Sequence, residues 1–215
     1  MGISAQGRPL LAAQAGSGAL RIYLIGGIHG DETESRSLLE SLKDEANPAA
    51  TIRILRDLNP DGTAAHTRDN ARGCDLNRNW PAANFNAHSW GGPAALSEPE
   101  TRIVDQDLRT FAPDIVVVLH SISIGPLVNY DGPADKLAAA LVDGVRPIDP
   151  RWHVKPDMGY PTPGSLGSYL GKDRGIPILT VEFKRGEDEP SATAALRKGL
   201  AALIAAAPAP ARTQR

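Results

Sequence analysis

The chain has 215 residues, which at about 150 residues per domain favours a single domain. Its 23 lysines and arginines against 25 aspartates and glutamates leave a formal net charge of −2, which argues against a nucleic-acid or anionic-membrane partner. The single cysteine, Cys74, excludes an intramolecular disulfide and a cysteine-rich metal site, so any metal would be held by histidines and carboxylates.

Targeting signals are missing from the region before the first predicted strand. The N-terminal 16 residues contain neither a basic region nor a long apolar stretch. The longest strongly apolar run, Ile115 to Leu119, is far shorter than the ~18 residues of a membrane span. We therefore expect a cytosolic protein.

Strands and helices alternate along the sequence. The predicted strands are Leu20–Ile25, Thr51–Leu55, Asp114–Leu119 and Ile178–Phe183. Three of the predicted helices are Glu32–Ala46, Pro133–Val145 and Ser191–Ala206. A fourth begins at the capping-box pattern Ser97-Glu98-Pro99-Glu100 and runs to about Phe111. The alternation predicts an α/β fold with a mixed, largely parallel β-sheet flanked by helices. We expect one catalytic domain over residues 1–206 and a disordered tail over residues 207–215.

Two long irregular stretches interrupt this pattern, from Leu58 to Leu96 and from His153 to Gly164. A structureless loop of nearly 40 residues inside a compact domain is uncommon and is usually functional. Ligands in such folds bind beyond the carboxyl ends of the parallel strands. The chemistry is therefore expected just after the four predicted strands.

Histidines close two of these strands. His29 follows the first strand within Gly27-Ile28-His29-Gly30-Asp31-Glu32, and His120 closes the third. Taken alone, His-x-x-Glu is more typical of a strand-to-helix turn in which Glu32 favours the helix N-terminus, and a single histidine after a buried strand is usually structural. Together, two histidines and one glutamate form a catalytic type of zinc site, which leaves a fourth position open.

Glu182 lies within the last predicted strand. A carboxylate among apolar residues is expensive to bury unless it is paired or functional. Beside a metal, Glu182 would be the general base. The alternative is an outward-facing position on an edge strand, which the alternation of side chains along this strand also allows.

The first irregular stretch carries a second group of polar candidates. Arg78 with Asn77 is a natural carboxylate clamp, a planar fork beside an amide donor. Arg68 could stabilise a developing oxyanion, and Asp75 could accept the free ring N–H of a ligating histidine. The alternative is a solvated polar loop in which Asn59-Pro60-Asp61-Gly62 is merely a turn.

Together these segments identify a family. The motifs are His29-Gly30-Asp31-Glu32, Asn59-Pro60-Asp61-Gly62, Thr67-Arg68-Asp69-Asn70, Asp75-Leu76-Asn77-Arg78-Asn79, Ser97-Glu98-Pro99-Glu100, His120-Ser121 and Thr180-Val181-Glu182-Phe183. In type and in order they resemble the motifs of the M14 zinc metallocarboxypeptidases, over about residues 20–185. Within that family, the compact length and the segment from Gly159 to Ser165 are similar to the bacterial murein peptide amidases.

The resemblance implies a role for each matching residue around one zinc ion per chain. The implied ligands are His29, Glu32 and His120. Glu182 would be the general base and acid, and Arg68 would polarise the scissile carbonyl and stabilise the oxyanion.

The same resemblance implies a substrate pocket. Asn77 and Arg78 would bind the free carboxylate of the C-terminal residue, and Asp75 would orient His29. Tyr160 matches a mobile tyrosine that closes over the substrate, and Ser121 and Leu166 would also contact it. Leu166 is neutral, so we find no counter-charge here for a simple basic or acidic side chain.

The implied reaction is hydrolysis of the amide between γ-D-glutamate and meso-diaminopimelate in murein tripeptide, during cell-wall peptide recycling. One alternative is an acylamino-acid hydrolase of the aspartoacylase and succinylglutamate desuccinylase type. It is disfavoured because the roughly 33 residues after Glu182 predict a helix and a tail and not an added β-rich domain. A second alternative is an inactive binding protein with the same fold, which no residue favours.

Overall fold

The computed structural model describes residues 1–34, 36–43, 47–87, 90–187 and 189–210. Its strands are β1 Gly2–Ile3, β2 Pro9–Leu10, β3 Ala12–Gly16, β4 Leu20–Ile25, β5 Ala50–Leu55, β6 Ile115–Ile122, β7 Leu127–Asp131, β8 His153–Val154 and β9 Ile178–Lys184. Its α-helices are α1 Arg36–Leu42, α2 Pro60–Ala65, α3 Pro99–Phe111, α4 Asp135–Val145 and α5 Glu189–Ala206. A short 3-10 helix at Leu76–Arg78 and a π-helix at Gly167–Lys172 complete the regular structure of this part of the chain.

Seven of these strands form one mixed sheet in the order β3-β5-β4-β6-β9-β7-β8. The four strands predicted from the sequence are its neighbouring members β5, β4, β6 and β9, and all of them run parallel. β3 pairs antiparallel with β5, and β7 pairs antiparallel with β9. The predicted mixed, largely parallel sheet is therefore confirmed. β3 and β7 were missed because Ala, Gly, Asn and Asp are depleted in strands.

Apolar side chains cover both faces of the sheet. On one face, residues such as Leu24, Val117 and Val181 pack with α1, α4 and α5. On the other face, residues such as Tyr23 and Val116 pack with α3 and with the long loop. Burial on both faces explains the continuous apolar runs at residues 22–25 of β4 and 115–119 of β6.

Two predicted helices begin elsewhere than expected. The helix predicted to start at Glu32 begins in the structure at Arg36, because Glu32 and Glu34 are held by tertiary contacts to His120 and Gly186. Its predicted C-terminal end, residues 44–46, lies outside the described residues. Among the described helices, none has the length and apolar character needed to cross a membrane.

The capping box predicted at α3 was wrong. The helix starts at Pro99, which needs no N–H partner at this position, and Glu98 in the cap position makes no side-chain capping bond. Ser97 bonds to the Glu98 carboxylate, while Glu100 accepts from the backbone N–H of Ala5. The remaining boundaries are close to prediction, with α4 starting at Asp135 and α5 ending at Ala206, the predicted end of the domain.

Three buried asparagines hold the long loop in place. The Asn59 side chain caps α2 by accepting from the Gly62 N–H, so its motif is a helix start rather than a turn alone. Asn70 accepts from the Cys74 N–H and donates to Glu98.

The third of them, Asn79, makes the most contacts. Its amide nitrogen donates to the Gly91 and Ala94 carbonyls, and its oxygen accepts from the Thr101 hydroxyl. Because Asn59, Asn70 and Asn79 are at most 4% exposed, the described part of this segment around them is packed and is not a solvated polar loop.

Candidate active site

The predicted metal ligands meet at the carboxyl edge of the central strands. His29 and Glu32 follow β4, and His120 lies near the end of β6. The Nδ1 atom of His29 is 2.8 Å from Glu32 Oε1, and the Nδ1 atom of His120 is 2.8 Å from Glu32 Oε2. One donor atom from each of the three residues lies within 4.8 Å of the others.

This cluster could hold a metal ion. Its donors are two imidazoles and one carboxylate, the set of three-ligand catalytic zinc sites, and all three residues are at most 5% exposed. Burial favours the neutral form of Glu32, but His120 and His29 offset it and lower the pKa of Glu32 far below its usual range. A buried, ionised carboxylate between two imidazole nitrogens fits a divalent cation well.

Asp75 orients one of the histidines. The His29 Nε2–H donates to Asp75 Oδ1 at 3.2 Å, which leaves Nδ1 facing Glu32. Burial favours the protonated carboxyl, yet the bond to His29 and the nearby Arg68 keep the pKa of Asp75 far below its usual range. The geometry thus contains a carboxylate behind a histidine that could bind a metal ion.

We expect Asp75→Asn to weaken zinc binding by about 10–100-fold, because the outer carboxylate fixes the tautomer and orientation of His29. Zinc affinity is measured by competition with a chromophoric chelator. Asp69→Asn is the matched control, since this carboxylate is a neighbour of Asp75 with no bond to His29 among the described contacts. Equal zinc affinity for Asp75→Asn and the wild type would contradict the role.

Glu182 faces the cluster from β9. It pairs in register with His120 on β6, and β7 flanks it on the other side. The interpretation of Glu182 as an outward-facing residue of an edge strand is therefore wrong. Burial raises the pKa of Glu182, and the charge of Glu32 raises it further, which suits a group that accepts a proton near neutral pH.

Arg68, Asn77 and Arg78 line the same cleft. The Arg68 guanidinium donates to Asp75 Oδ2 at 2.9 Å and 3.1 Å and has about half of its side chain exposed. The Asn77 Oδ1 atom accepts from the Leu166 N–H, and its amide NH₂ group lies 3.5 Å from His120 Nε2. The Arg78 guanidinium donates to the Asn77 carbonyl at 2.9 Å, so the two donors lie together.

Tyr160, Ser121 and Leu166 also line this cavity, whose volume is about 420 Å³. Tyr160 is 49% exposed. Ser121 contacts the cluster through its backbone, whose N–H donates to Glu32 Oε2 at 3.2 Å, and its buried hydroxyl has no partner among the described residues. The structure thus brings together all eleven residues named from the sequence.

Two charged residues of the cleft were not predicted from the sequence. Asp131 lies at the end of β7 beside Gly167, where an added Cβ would meet its Oδ2 atom at 2.2 Å. The sequence did not predict a carboxylate in this pocket because β7 was not predicted. Asp131 pairs with Lys172 at 3.2 Å through its Oδ1 atom. Arg185 follows β9 and donates to Asp31 Oδ2 at 3.0 Å and Glu32 Oε1 at 3.3 Å. No local pattern in the sequence indicates its role, because its partners Asp31 and Glu32 are far from it along the chain.

Comparison with known proteins gives concordant results. The family model described as zinc carboxypeptidase matches residues 1–141. Murein peptide amidase A of Escherichia coli strain K12 is 31% identical over 201 residues, covering 85% of this chain and 79% of the relative. The crystal structure of murein-tripeptide amidase MpaA from Escherichia coli O157 matches with a TM-score of 0.73 and 28% identity, covering 97% and 92% of the two chains. Carboxypeptidase A from Helicoverpa armigera, at 16% identity and a TM-score of 0.74, shares the fold.

Proposed function

The chain belongs to the zinc carboxypeptidase family and is a peptide-bond hydrolase, and we propose that its substrate is a murein peptide. The bond cleaved is the amide between γ-D-glutamate and meso-diaminopimelate in murein tripeptide, a reaction of cell-wall peptide recycling. The similarity to murein peptide amidase A over most of both chains supports this choice.

One observation carries the proposal: the cleft presents charges of alternating sign on one side of the metal cluster. Arg78 and Asn77 form one end, and the Asp131 carboxylate lies beside Gly167 at the other. Lys172, whose side chain is largely exposed, pairs with Asp131 Oδ1 at 3.2 Å, while Oδ2 faces Gly167. A C-terminal residue with a free α-carboxylate and an ammonium group at the far end of its side chain matches this order. Diaminopimelate has both groups.

The distance along the sheet suits such a side chain. Leu127 pairs with Glu182 and Asp131 pairs with Ile178, so Asp131 lies four residues, about 13 Å, along β9 from Glu182. Asn129 and Thr180 lie between them on the same face. The pocket is long enough for a four-carbon side chain.

The residues of the cleft divide the work of hydrolysis. His29, Glu32 and His120 would hold the zinc ion, which would supply Lewis-acid chemistry at the scissile carbonyl and at the attacking water. Glu182 accepts the proton of the attacking water and then passes it to the leaving nitrogen. Arg68 donates to the developing oxyanion. Asn77 and Arg78 bind the terminal carboxylate, which makes the enzyme act at chain ends.

The direct test is incubation of the zinc-loaded protein with L-Ala-γ-D-Glu-meso-diaminopimelate beside ordinary L-peptides, with product identification by mass. We expect release of free diaminopimelate. Release of acetate or succinate from N-acylated amino acids without cleavage of the tripeptide would favour the acylamino-acid hydrolase alternative. A protein that fails to bind zinc after reconstitution would favour a binding protein.

Asp131→Asn should change the preference for the leaving residue. We expect kcat/KM to fall by about 10–100-fold for diaminopimelate and lysine, because a charge-assisted hydrogen bond is lost, and to change little for norleucine. Competition between the three γ-D-glutamyl substrates measures the preference. Asp135→Asn, an exposed change on the first turn of α4, is the control. Equal losses for lysine and norleucine would refute the contact.

A further inference from the structure

An arginine lies at the opposite end of the cleft from the leaving-residue pocket. Arg185 follows the C-terminal end of β9, whereas Asp131 pairs with the first residue of that strand. Asn77 bonds to Leu166, next to Gly167 and hence on the Asp131 side. A substrate whose terminal carboxylate lies at this clamp therefore extends its acyl group past Glu182 toward Arg185.

Hydrogen bonds hold the guanidinium of Arg185 in place but do not occupy all of its N–H donors. It donates to Asp31 Oδ2 at 3.0 Å, to Glu32 Oε1 at 3.3 Å and to the Ser121 carbonyl at 3.4 Å. A guanidinium has five N–H donors, so donors remain for a ligand. The side chain lines the cleft and is 44% exposed. A bound cation would draw on the charge of Glu32, leaving the positive charge of Arg185 less compensated.

The reach of this group selects a particular acyl chemistry. Its Nη2 atom lies 3.3 Å from an oxygen of a metal ligand, so it is close to the position of the scissile carbonyl. In a γ-linked glutamyl group, four bonds, about 5 Å, join the carbonyl carbon to the carbon of the α-carboxylate. An α-linked peptide with an apolar acyl residue has no carboxylate at this distance.

We propose that Arg185 binds a carboxylate of the acyl group, four bonds from the scissile carbonyl carbon, and so selects γ-linked glutamyl substrates over α-linked peptides. The inference rests on the proposed function for the orientation of the substrate in the cleft. It adds an anion site on the acyl side to the cation site that Asp131 forms on the leaving side. Together, the two sites bind the charged groups on both sides of the cleaved amide.

The test compares two ligands that differ in one charge. Glutaryl-lysine carries a carboxylate at the same spacing as a γ-glutamyl group, and its carboxamide analogue is neutral there. For the wild type we expect kcat/KM to be at least about tenfold higher for the acid. Arg185→Gln should reduce this preference to about twofold or less, and Arg185→Lys should retain part of it. Arg151→Gln, which removes an exposed arginine bound to Asp149 and Glu187, should leave the preference unchanged.

A binding measurement makes the result independent of turnover. Calorimetry with zinc-loaded Glu182→Gln, with and without Arg185→Gln, should show tighter binding of the acid than of the amide only when Arg185 is present. Zinc content is measured for every variant, since Arg185 also contacts Glu32. The proposal is overturned if the wild type treats acid and amide alike, or if Arg185→Gln weakens both equally.

The outcomes also separate this inference from the proposed function. If murein tripeptide is not cut but the Arg185-dependent preference for glutaryl-lysine is found, the murein substrate is wrong and the anion site stands. If the tripeptide is cut and acid and amide are handled alike, the anion site is wrong and the proposed function stands.

Discussion

Replacing Glu182 by Gln is expected to lower kcat by about 10³-fold while zinc remains bound. The substitution keeps the size and shape of the side chain but removes the group that accepts and returns the proton. Glu182 lies in register with His120 on the central strands, so the side-chain amide of the variant occupies the same place in the sheet as the carboxylate it replaces. The measurements are turnover of a γ-D-glutamyl substrate and zinc content.

Two controls sharpen this result. Glu40→Gln makes the same chemical change on the exposed face of α1, where Glu40 pairs with Lys43 and Arg56, and should leave turnover unchanged. Thermal unfolding should show that Glu182→Gln is at least as stable as the wild type, because burial already disfavours the charged form of this side chain. Near-normal turnover in a zinc-loaded Glu182→Gln variant would show that another group moves the proton.

His120→Ala should abolish both zinc binding and activity. This change removes one of three buried donors, so we expect zinc affinity to fall by more than the roughly 10–100-fold that loss of an outer partner such as Asp75 costs. Zinc should also cease to stabilise the fold. At a free concentration about 1,000 times its dissociation constant, a ligand stabilises the native state by about 4 kcal/mol.

Thermal shift measures that stabilisation. For a chain of this size, about 4 kcal/mol corresponds to a rise in Tm of roughly 8–16 °C. We expect the wild type and the His153→Ala control, an exposed histidine on β8, to show the shift when zinc is added. His120→Ala should show little or none. A full shift in His120→Ala would mean that zinc binds elsewhere.

The metal cluster and Glu182 were predictable because the ends of these strands can be located from the local sequence pattern. Residues 22–25 of β4 and 115–119 of β6 are continuous apolar runs, and parallel strands bring their carboxyl ends to one edge. The polar residues that follow such runs must therefore meet. The assignment of Arg68 and Arg78 needed more than periodicity, since an irregular segment has no regular spacing, and it came from the motifs that resemble a family.

The two ends of the cleft were not predictable in the same way. Asp131 lies on a strand whose sequence, Leu-Val-Asn-Tyr-Asp, has weak strand propensity, and β7 forms because it pairs with β9. Arg185 reaches the cluster through contacts to Asp31 and Glu32, more than 150 positions away in the sequence. Both depend on tertiary placement, which local patterns do not encode.

The predicted starts of two helices were wrong for a related reason. The capping-box pattern at Ser97 is a local rule, but Glu98 and Glu100 are drawn into bonds with Asn70 and Ala5 instead. Likewise, Glu32 is held between two imidazoles and does not begin a helix. In both cases a hydrogen bond to a distant partner stabilises the buried carboxylate more than the N-terminus of a helix would.

The asparagines that hold the long loop have a consequence for how the site responds to its surroundings. Asn59 and Asn79 hold the segment through neutral amides that bond to backbone groups and a hydroxyl. An amide neither gains nor loses a proton in the physiological range, and its hydrogen bonds are hardly screened by dissolved ions. The contacts of Asn59 and Asn79 are thus little affected by acidity and ionic strength. The bond from Asn70 to the Glu98 carboxylate and the ion pair of Arg68 with Asp75 are the parts of the same framework that respond to both.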